Sequence, residues 1–285
     1  MSDLAETRFK FAQLGQLGLK EDPFSNSTDP RYYYLSEEHS PAYKAVLQAV
    51  VRRRGLMLIT GEPGLGKTTL AKRLYSVLSA EPDMDVAYIP RAHWQTKFTA
   101  VQQISLALTD LDVPLKRGYD DQLEALKTAI ANAYNNRRNV VIIFDDAQEM
   151  RSSGMTLLHE LYNFEKGEKT VQSIVFGQLE TIEMMRGYKA IWSRVFQNLS
   201  LMRLSFQSTV NLVNYRVRAA DRLDPLLDDD AWPILDESAE GIPRDIISIC
   251  SVALDILLNT GQKVITKEVM LQAVEQIGKR NGSAD

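Results

Sequence analysis

The sequence predicts an α/β core, a parallel sheet with helices on both faces, followed by a small all-helical domain. Three observations predict it. From residue 55 onward, short apolar runs alternate with stretches of helical periodicity: "LMLIT", "VAYIP", "VVIIF" and "QSIVFG" are each followed by a helix-like segment. Strands that alternate with helices imply a parallel sheet, and fully apolar strands suit one buried on both faces. After about residue 206 the strand signals stop and helical periodicity alone remains. The expected division is an irregular N-terminal strap (1–39), an α/β core (40–205) and a helical domain (206–285).

The elements follow in order. The strap, "EDPFSNSTDPRYYYLSEEH", has weak periodicity and many turn residues. Ser40 starts a helix with Pro41 in its first turn, and Ala42, Val46, Leu47, Val50 and Val51 follow at helical spacing. Arg52, Arg53 and Arg54 are expected in its last turn with Gly55 just beyond. Cations there complement the helix dipole, a reading preferred to a nucleic-acid patch. "LMLIT" (56–60) is the first strand, leading through a glycine-rich turn into the helix "KTTLAKRLYSVLSA". "VAYIP" (86–90) is the second strand. "TKFTAVQQISLALTDL" places Phe98, Val101, Ile104 and Leu108 on one helical face, and "DQLEALKTAIANAY" does the same with Leu123, Leu126, Ile130 and Ala133. "VVIIF" is the third strand, bounded by Asn139 and by two aspartates. A helix over 154–165, a strand over 172–177, a short helix and a strand over "LSLMRL" (199–204) complete the core. "STVNLVNYRVRAA", "DDDAWPILDES", "IPRDIISICSVALDILLN" and "TKEVMLQAVEQIGK" read as the four helices of the last domain.

Composition narrows the function classes. With 33 basic and 37 acidic residues the net charge is −4, so no global basic field draws in nucleic acid and only local patches remain. The single cysteine, Cys250 in "IISICSVAL", rules out an intrachain disulfide and reads as a small core residue. His39, His93 and His159 lack ligand spacing, which argues against zinc. The N-terminus lacks the pattern of a secretory signal, and no stretch approaches the ~20 apolar residues of a membrane helix. The expectation is a soluble, cytoplasmic protein without membrane insertion.

"GEPGLGKT" (61–68) matches G-x-x-x-x-G-K-[ST], directly after a strand and directly before a helix, which is the context that motif requires. Gly61, Gly64 and Gly66, with Glu62, Pro63 and Leu65 between them, let backbone amides curl inward towards phosphates. The helix N-terminus, opening on Lys67, Thr68 and Thr69, adds its positive end. Lys67 is expected at the β- and γ-phosphates of ATP and Thr68 at magnesium. Asp145, at the end of the third strand, is the expected second magnesium partner. Asp146 is the acid beside it that could orient an attacking water; its alternative role is to cap the following helix. Nucleotide-hydrolysing proteins of this kind usually carry glutamate there. The side chain one methylene shorter implies slow hydrolysis of ATP.

At this point the sequence resembles the AAA+ ATPases. Within them it is similar to the ExeA-like (GspA-like) branch, related to the TnsC, TniB and MuB transposition ATPases. "GLKEDPFSNSTDPRYYYLSEEH", "ITGEPGLGKTT", "IIFDDAQ", "LLHELYNFEKGEKTVQSIVFGQLE" and "GIPRDI" carry the resemblance, over about residues 18 to 250. It implies that Gln178 is a sensor of the γ-phosphate and that Arg194 is an arginine finger reaching a neighbouring subunit's nucleotide. It implies too that Arg244 is a second sensor on a helical lid. For Arg194 and Arg203 the alternative is surface solvation. Pro23, Phe24 and Tyr33 are implied beside the adenine, or else form an apolar staple. A finger acting between subunits requires head-to-tail stacking, as a ring or a filament.

The resemblance leaves three roles open. In the leading one, an ATP-loaded oligomer on duplex DNA recruits a transposase. "PRAHWQTK" then offers Arg91, His93, Trp94 and Lys97, with cations for phosphates and an aromatic for stacking, although Trp94 also reads as a core residue. In the second, the chain is an ExeA-type ATPase of type II secretion or pilus assembly. Such relatives commonly continue into a membrane helix and a periplasmic domain, and the end at Asp285 without either favours the DNA-side role. The third is a nucleotide switch that scaffolds a partner.

Overall fold

A computed structural model describes residues 13–25, 30–163 and 169–282. Residues 164–168, within the "NFEKGEK" noted above and at the expected end of the 154–165 helix, lie outside the described residues, as do 1–12, 26–29 and 283–285. The chain divides into two compact units. Residues 39–201 form one; the described residues before 39 pack with 202–282 as the other.

The first unit is built on five strands, β1 (Leu56–Thr60), β2 (Met84–Ile89), β3 (Asn139–Phe144), β4 (Val171–Gly177) and β5 (Val195–Ser200), in the order β2-β3-β4-β1-β5. Every pairing is parallel. β1, β3 and β4 are the central strands and are buried at every position, which is why apolar residues dominate them, with Thr60, Asn139, Gln172 and Ser173 as buried polar exceptions. β2, at one edge, alternates between half-buried and buried residues. β5, at the other edge, is mostly exposed, with Phe196 at 50%.

That exposure explains a displaced boundary. The alternation in "LSLMRL" suggested a strand over 199–204, whereas the strand is Val195–Ser200. Leu201 and Leu204, which produced the signal, are buried just beyond it. The strand itself carries little apolar pattern because it lies at the sheet's edge.

Helices α1 (Ser40–Val51), α2 (Lys67–Leu78), α3 (Lys97–Ala107), α4 (Tyr119–Asn135), α5 (Ser152–Asn163), α6 (Glu180–Arg186) and α7 (Lys189–Trp192) complete this unit. The three arginines are not in the last turn of α1, which ends at Val51. Arg53 turns the chain with φ 51°, donates to Arg138 O at 2.9 Å, and stacks over Tyr134. Arg54 stacks over Phe196. Aromatic faces hold these cations as the chain turns towards β1.

The second unit contains α8 (Phe206–Ala219), α9 (Trp232–Ala239), α10 (Pro243–Thr260) and α11 (Lys267–Gly282). Leu212, Leu235, Ile246, Leu254 and Leu257 centre its core, with Cys250 buried among them. Leu14, Leu17, Leu19 and Phe24 of the strap belong to the same core. Arg216, 6% exposed, donates to Pro23 O at 2.6 Å and to Ser25 O at 2.8 Å and lies over the Tyr32 ring. Arg222 donates to Leu17 O at 2.8 Å. Phe24 is thus a buried core residue of the helical unit, which is the staple reading of the strap. Among the described residues no helix is long and apolar enough to cross a membrane.

Candidate nucleotide site

In a parallel sheet all carboxyl ends lie along one edge, and open α/β sheets bind their ligands there. Here β1 ends in the glycine-rich loop, β3 in Asp145 and β4 at Gln178, on three neighbouring strands. The order β3-β4-β1 therefore brings together groups that are more than 110 residues apart in sequence.

The loop turns through Gly64 and Gly66, both at φ 89°, a backbone region that glycine adopts freely. Gly66 is the N-cap of α2, so Lys67, Thr68 and Thr69 occupy its first turn. Lys67 is buried, and its Nζ donates to Gly61 O and to Glu62 O, each at 2.8 Å. The ammonium is thus held over the loop by neutral carbonyls.

Asp145 is 1% exposed. The donors that meet it are neutral: the Tyr88 hydroxyl on Oδ2 at 2.8 Å, the Asp146 N–H on Oδ1 at 3.0 Å, and the Thr68 side chain. Burial pushes its carboxyl above the ordinary carboxylate value, although those hydrogen bonds oppose the shift. Burial likewise raises the Tyr88 phenol, with the Asp145 charge adding to it, so the phenol remains a donor. A buried carboxylate beside a threonine hydroxyl, met only by neutral donors among the described residues, fits a divalent cation. The inward-turned loop with its lysine fits a polyphosphate.

Asp146 is half-buried in the left-handed region, at φ 49°. It precedes a short turn, Ala147–Glu149, yet its side chain caps no backbone N–H there. Instead its Oδ1 accepts from Gln148 Nε2 at 3.2 Å, and Gln148 Oε1 accepts the Gln178 N–H at 3.2 Å. Sequence reasoning missed Tyr88 and Gln148. Gln148 stood inside the quoted "VVIIFDDAQ", and Tyr88 is the polar residue near the end of the strand beside it.

Arg194 follows α7; it donates to Asn163 Oδ1 at 2.8 Å and also to Ala190 O. Arg203 pairs with Glu240 within the helical unit. Arg244 is exposed in the first turn of α10.

Arg91 and Lys97 are exposed, Lys97 lying over the Tyr119 ring, and His93 Nδ1 is 3.5 Å from Glu149 Oε2. Trp94 corrects the DNA reading. It is 4% exposed, donates through Nε1 to Gln103, and meets the Phe144 ring edge-on. A ring buried in the core beneath β3 is not available for stacking on a base.

Comparison with known proteins agrees with this geometry. Residues 51–185 match a family model described as an AAA domain. The chain is 31% identical over 268 residues to general secretion pathway protein A of Aeromonas hydrophila, a match that covers 93% of this chain and 48% of that protein. The chain thus spans about half the length of that relative. Among solved structures, it superposes on the Aeropyrum pernix ORC2 protein with a TM-score of 0.66 at 18% identity, covering 89% of this chain and 70% of that one. The RuvB Holliday junction branch migration motor of Thermotoga maritima gives 0.52 at 17%, over 86% and 72%. The fold is that of P-loop AAA+ ATPase structures, a parallel sheet flanked by helices and followed by an all-helical unit. These likenesses support nucleotide hydrolysis in general and a relation of the GspA type; a relation to the transposition ATPases is not among them.

Proposed function

We propose that this chain, an AAA+ ATPase of the GspA type, binds and slowly hydrolyses ATP as the nucleotide-driven part of a secretion-pathway assembly. The observation that carries the reading is the 31% identity with general secretion pathway protein A across 93% of this chain. In this reading the loop from Gly61 to Thr69 holds the phosphates, with Lys67 as its side-chain cation. Thr68 and Asp145 hold magnesium. Bound ATP supplies the phosphoanhydride to be cleaved, and its magnesium neutralises charge on the phosphates. Asp146 directs the attacking water and Gln178 senses the γ-phosphate. Arg244 acts as the second sensor of the nucleotide, and Arg194 leaves Asn163 and Ala190 to serve a neighbouring subunit. Hydrolysis is slow because the Asp146 carboxylate ends one methylene short of a glutamate's. A misplacement of about 1 Å costs ~10²-fold.

The competing reading is a platform on duplex DNA that recruits a transposase. It keeps the exposed Arg91 and Lys97, with His93 beside Glu149, and loses Trp94. One experiment separates the readings. Calorimetry should show ATP binding to the parent protein and none to Lys67→Ala; equal affinities would remove the nucleotide site altogether. With ATP bound, the secretion reading expects no binding to duplex DNA at low salt. Binding that weakens steeply with salt, and weakens again in the Arg91→Ala, Lys97→Ala double variant, would return the DNA reading to the lead.

A further inference from the structure

The side-chain amide of Gln148 is tied at both ends. Nε2 donates to Asp146 Oδ1 and Oε1 accepts the Gln178 N–H, both at 3.2 Å. A carboxylate accepts and a backbone N–H donates, so one orientation of the amide satisfies both partners. The bridge links the ends of two adjacent strands, since Asp146 follows β3 and Gln178 is the first residue after β4.

Both anchors are set to transmit position. The terminal torsion of an aspartate is broad and roughly two-fold, so a carboxylate that caps nothing takes its direction from whatever donates to it. Among the described residues, Gln148 is the side chain seen donating to Asp146. At the other end the backbone is tightly packed. A Cβ at Gly177 would lie 2.1 Å from Thr181 Oγ1, and Thr181 N–H donates to Gln178 O at 3.0 Å. The end of β4 and the start of α6 therefore move together.

We propose that Gln148 is a positioning residue: it aims the Asp146 carboxylate and couples that aim to the position of the β4 end at Gln178. The inference rests on Asp146 as the acid that directs water. It adds the means by which a displacement at Gln178 reaches that acid.

Two variants test it. Gln148→Leu keeps the bulk and removes both hydrogen bonds. Gln148→Glu keeps the acceptor for Gln178 and removes the donor to Asp146. In the nucleotide-free protein, the Gln178 amide NMR signal should shift, and its proton exchange faster, in Gln148→Leu but not in Gln148→Glu. Both variants should bind ATP with the parent's affinity and hydrolyse it ~10-fold or more slower in single-turnover measurements. On an Asp146→Asn background, Gln148→Leu should cause no further loss, because a residue that acts through Asp146 has nothing left to aim. An unmoved Gln178 amide in Gln148→Leu, or losses that simply add, overturns the proposal. If Asp146→Asn is slow while the Gln148 variants keep the parent rate, this inference fails alone. If Asp146→Asn hydrolyses at the parent rate, the role given to Asp146 fails and takes the inference with it.

Discussion

Asp145 is a carboxylate in the interior, held by a phenol, a hydroxyl and a backbone N–H. Hydrogen bonds of this kind do not replace a counter-charge, and burial raises its carboxyl above the ordinary value. The sign of the linkage follows. A group raised on folding contributes stability below its unfolded value and loses it as pH rises through the folded one. The metal-free protein should therefore melt lower at neutral pH than the Asp145→Asn variant, and the gap should close on acidification. Magnesium with ATP should reverse the order, raising the melting temperature of the parent and leaving the variant behind. Calorimetric melts at two pH values, with and without Mg-ATP, check both halves; identical melts for parent and variant in every condition would remove Asp145 from the metal site. Lys67, Thr68 and Asp145 were readable in the sequence because the loop motif and the acid-tipped strand each demand particular residue types. Tyr88 and Gln148 were not, because the contacts of Tyr88 with Asp145 and of Gln148 with Gln178 depend on which strands are neighbours.

At the scale of elements, the central strands announced themselves and the edge did not. β1, β3 and β4 are buried on both faces, so their largely apolar runs marked them within a residue or so, despite the buried Gln172 and Ser173 in β4. β5 faces solvent along most of its length, and the nearest apolar signal came from the two leucines just past its end. Trp94 shows the opposite error: a tryptophan among cations reads as a binding surface until the packing of Phe144 and Gly154 against it is known. The junction of β4 and α6 offers a direct test of how closely the site depends on its supporting elements. A methyl group at Gly177 meets Thr181 at 2.1 Å from Oγ1 and 2.8 Å from Cβ, both side-chain atoms of the first turn of α6. Gly177→Ala must push that turn away and carry Gln178 with it. It should cost about 1–3 kcal/mol as an overpacked core and slow ATP hydrolysis more than ATP binding. Denaturant melts and single-turnover rates measure the two effects, and parent-like hydrolysis in a destabilised variant would show the β4 end to be passive.

The whole molecule departs most from a linear reading at its N-terminus. Weak periodicity and turn residues made the first 39 positions look like a strap in front of the core. Its described residues instead pack into the helical unit. A buried arginine does much of this: Arg216 serves two strap carbonyls and a ring at once, and burial lowers its guanidinium below the usual value. Nothing in the spacing of "VNYRVRAA" distinguishes that arginine from a solvated one, because its partners lie 191 and 193 positions away. Hydrogen bonds from a charged donor contribute about 1.5–3 kcal/mol each, so Arg216→Met should destabilise the helical unit by roughly 3 kcal/mol or more. Limited proteolysis should then cut the strap early; a strap equally protected in the variant would show that its apolar side chains suffice.

The same arrangement dictates an order of events at the ribosome. Gln13 Nε2 bonds to Leu258 O across 245 positions, and Leu14 and Leu17 share a core with α10 and α11. The strap therefore leaves the exit tunnel well before the helices that it packs against. The sheet between them has its complete set of strands by residue 200 and can close while the later helices are still being made. Until then the N-terminal leucines and Phe24 are unsheltered apolar surface, a period during which a chaperone, or the strap of a second nascent chain, can reach them before their own helices arrive.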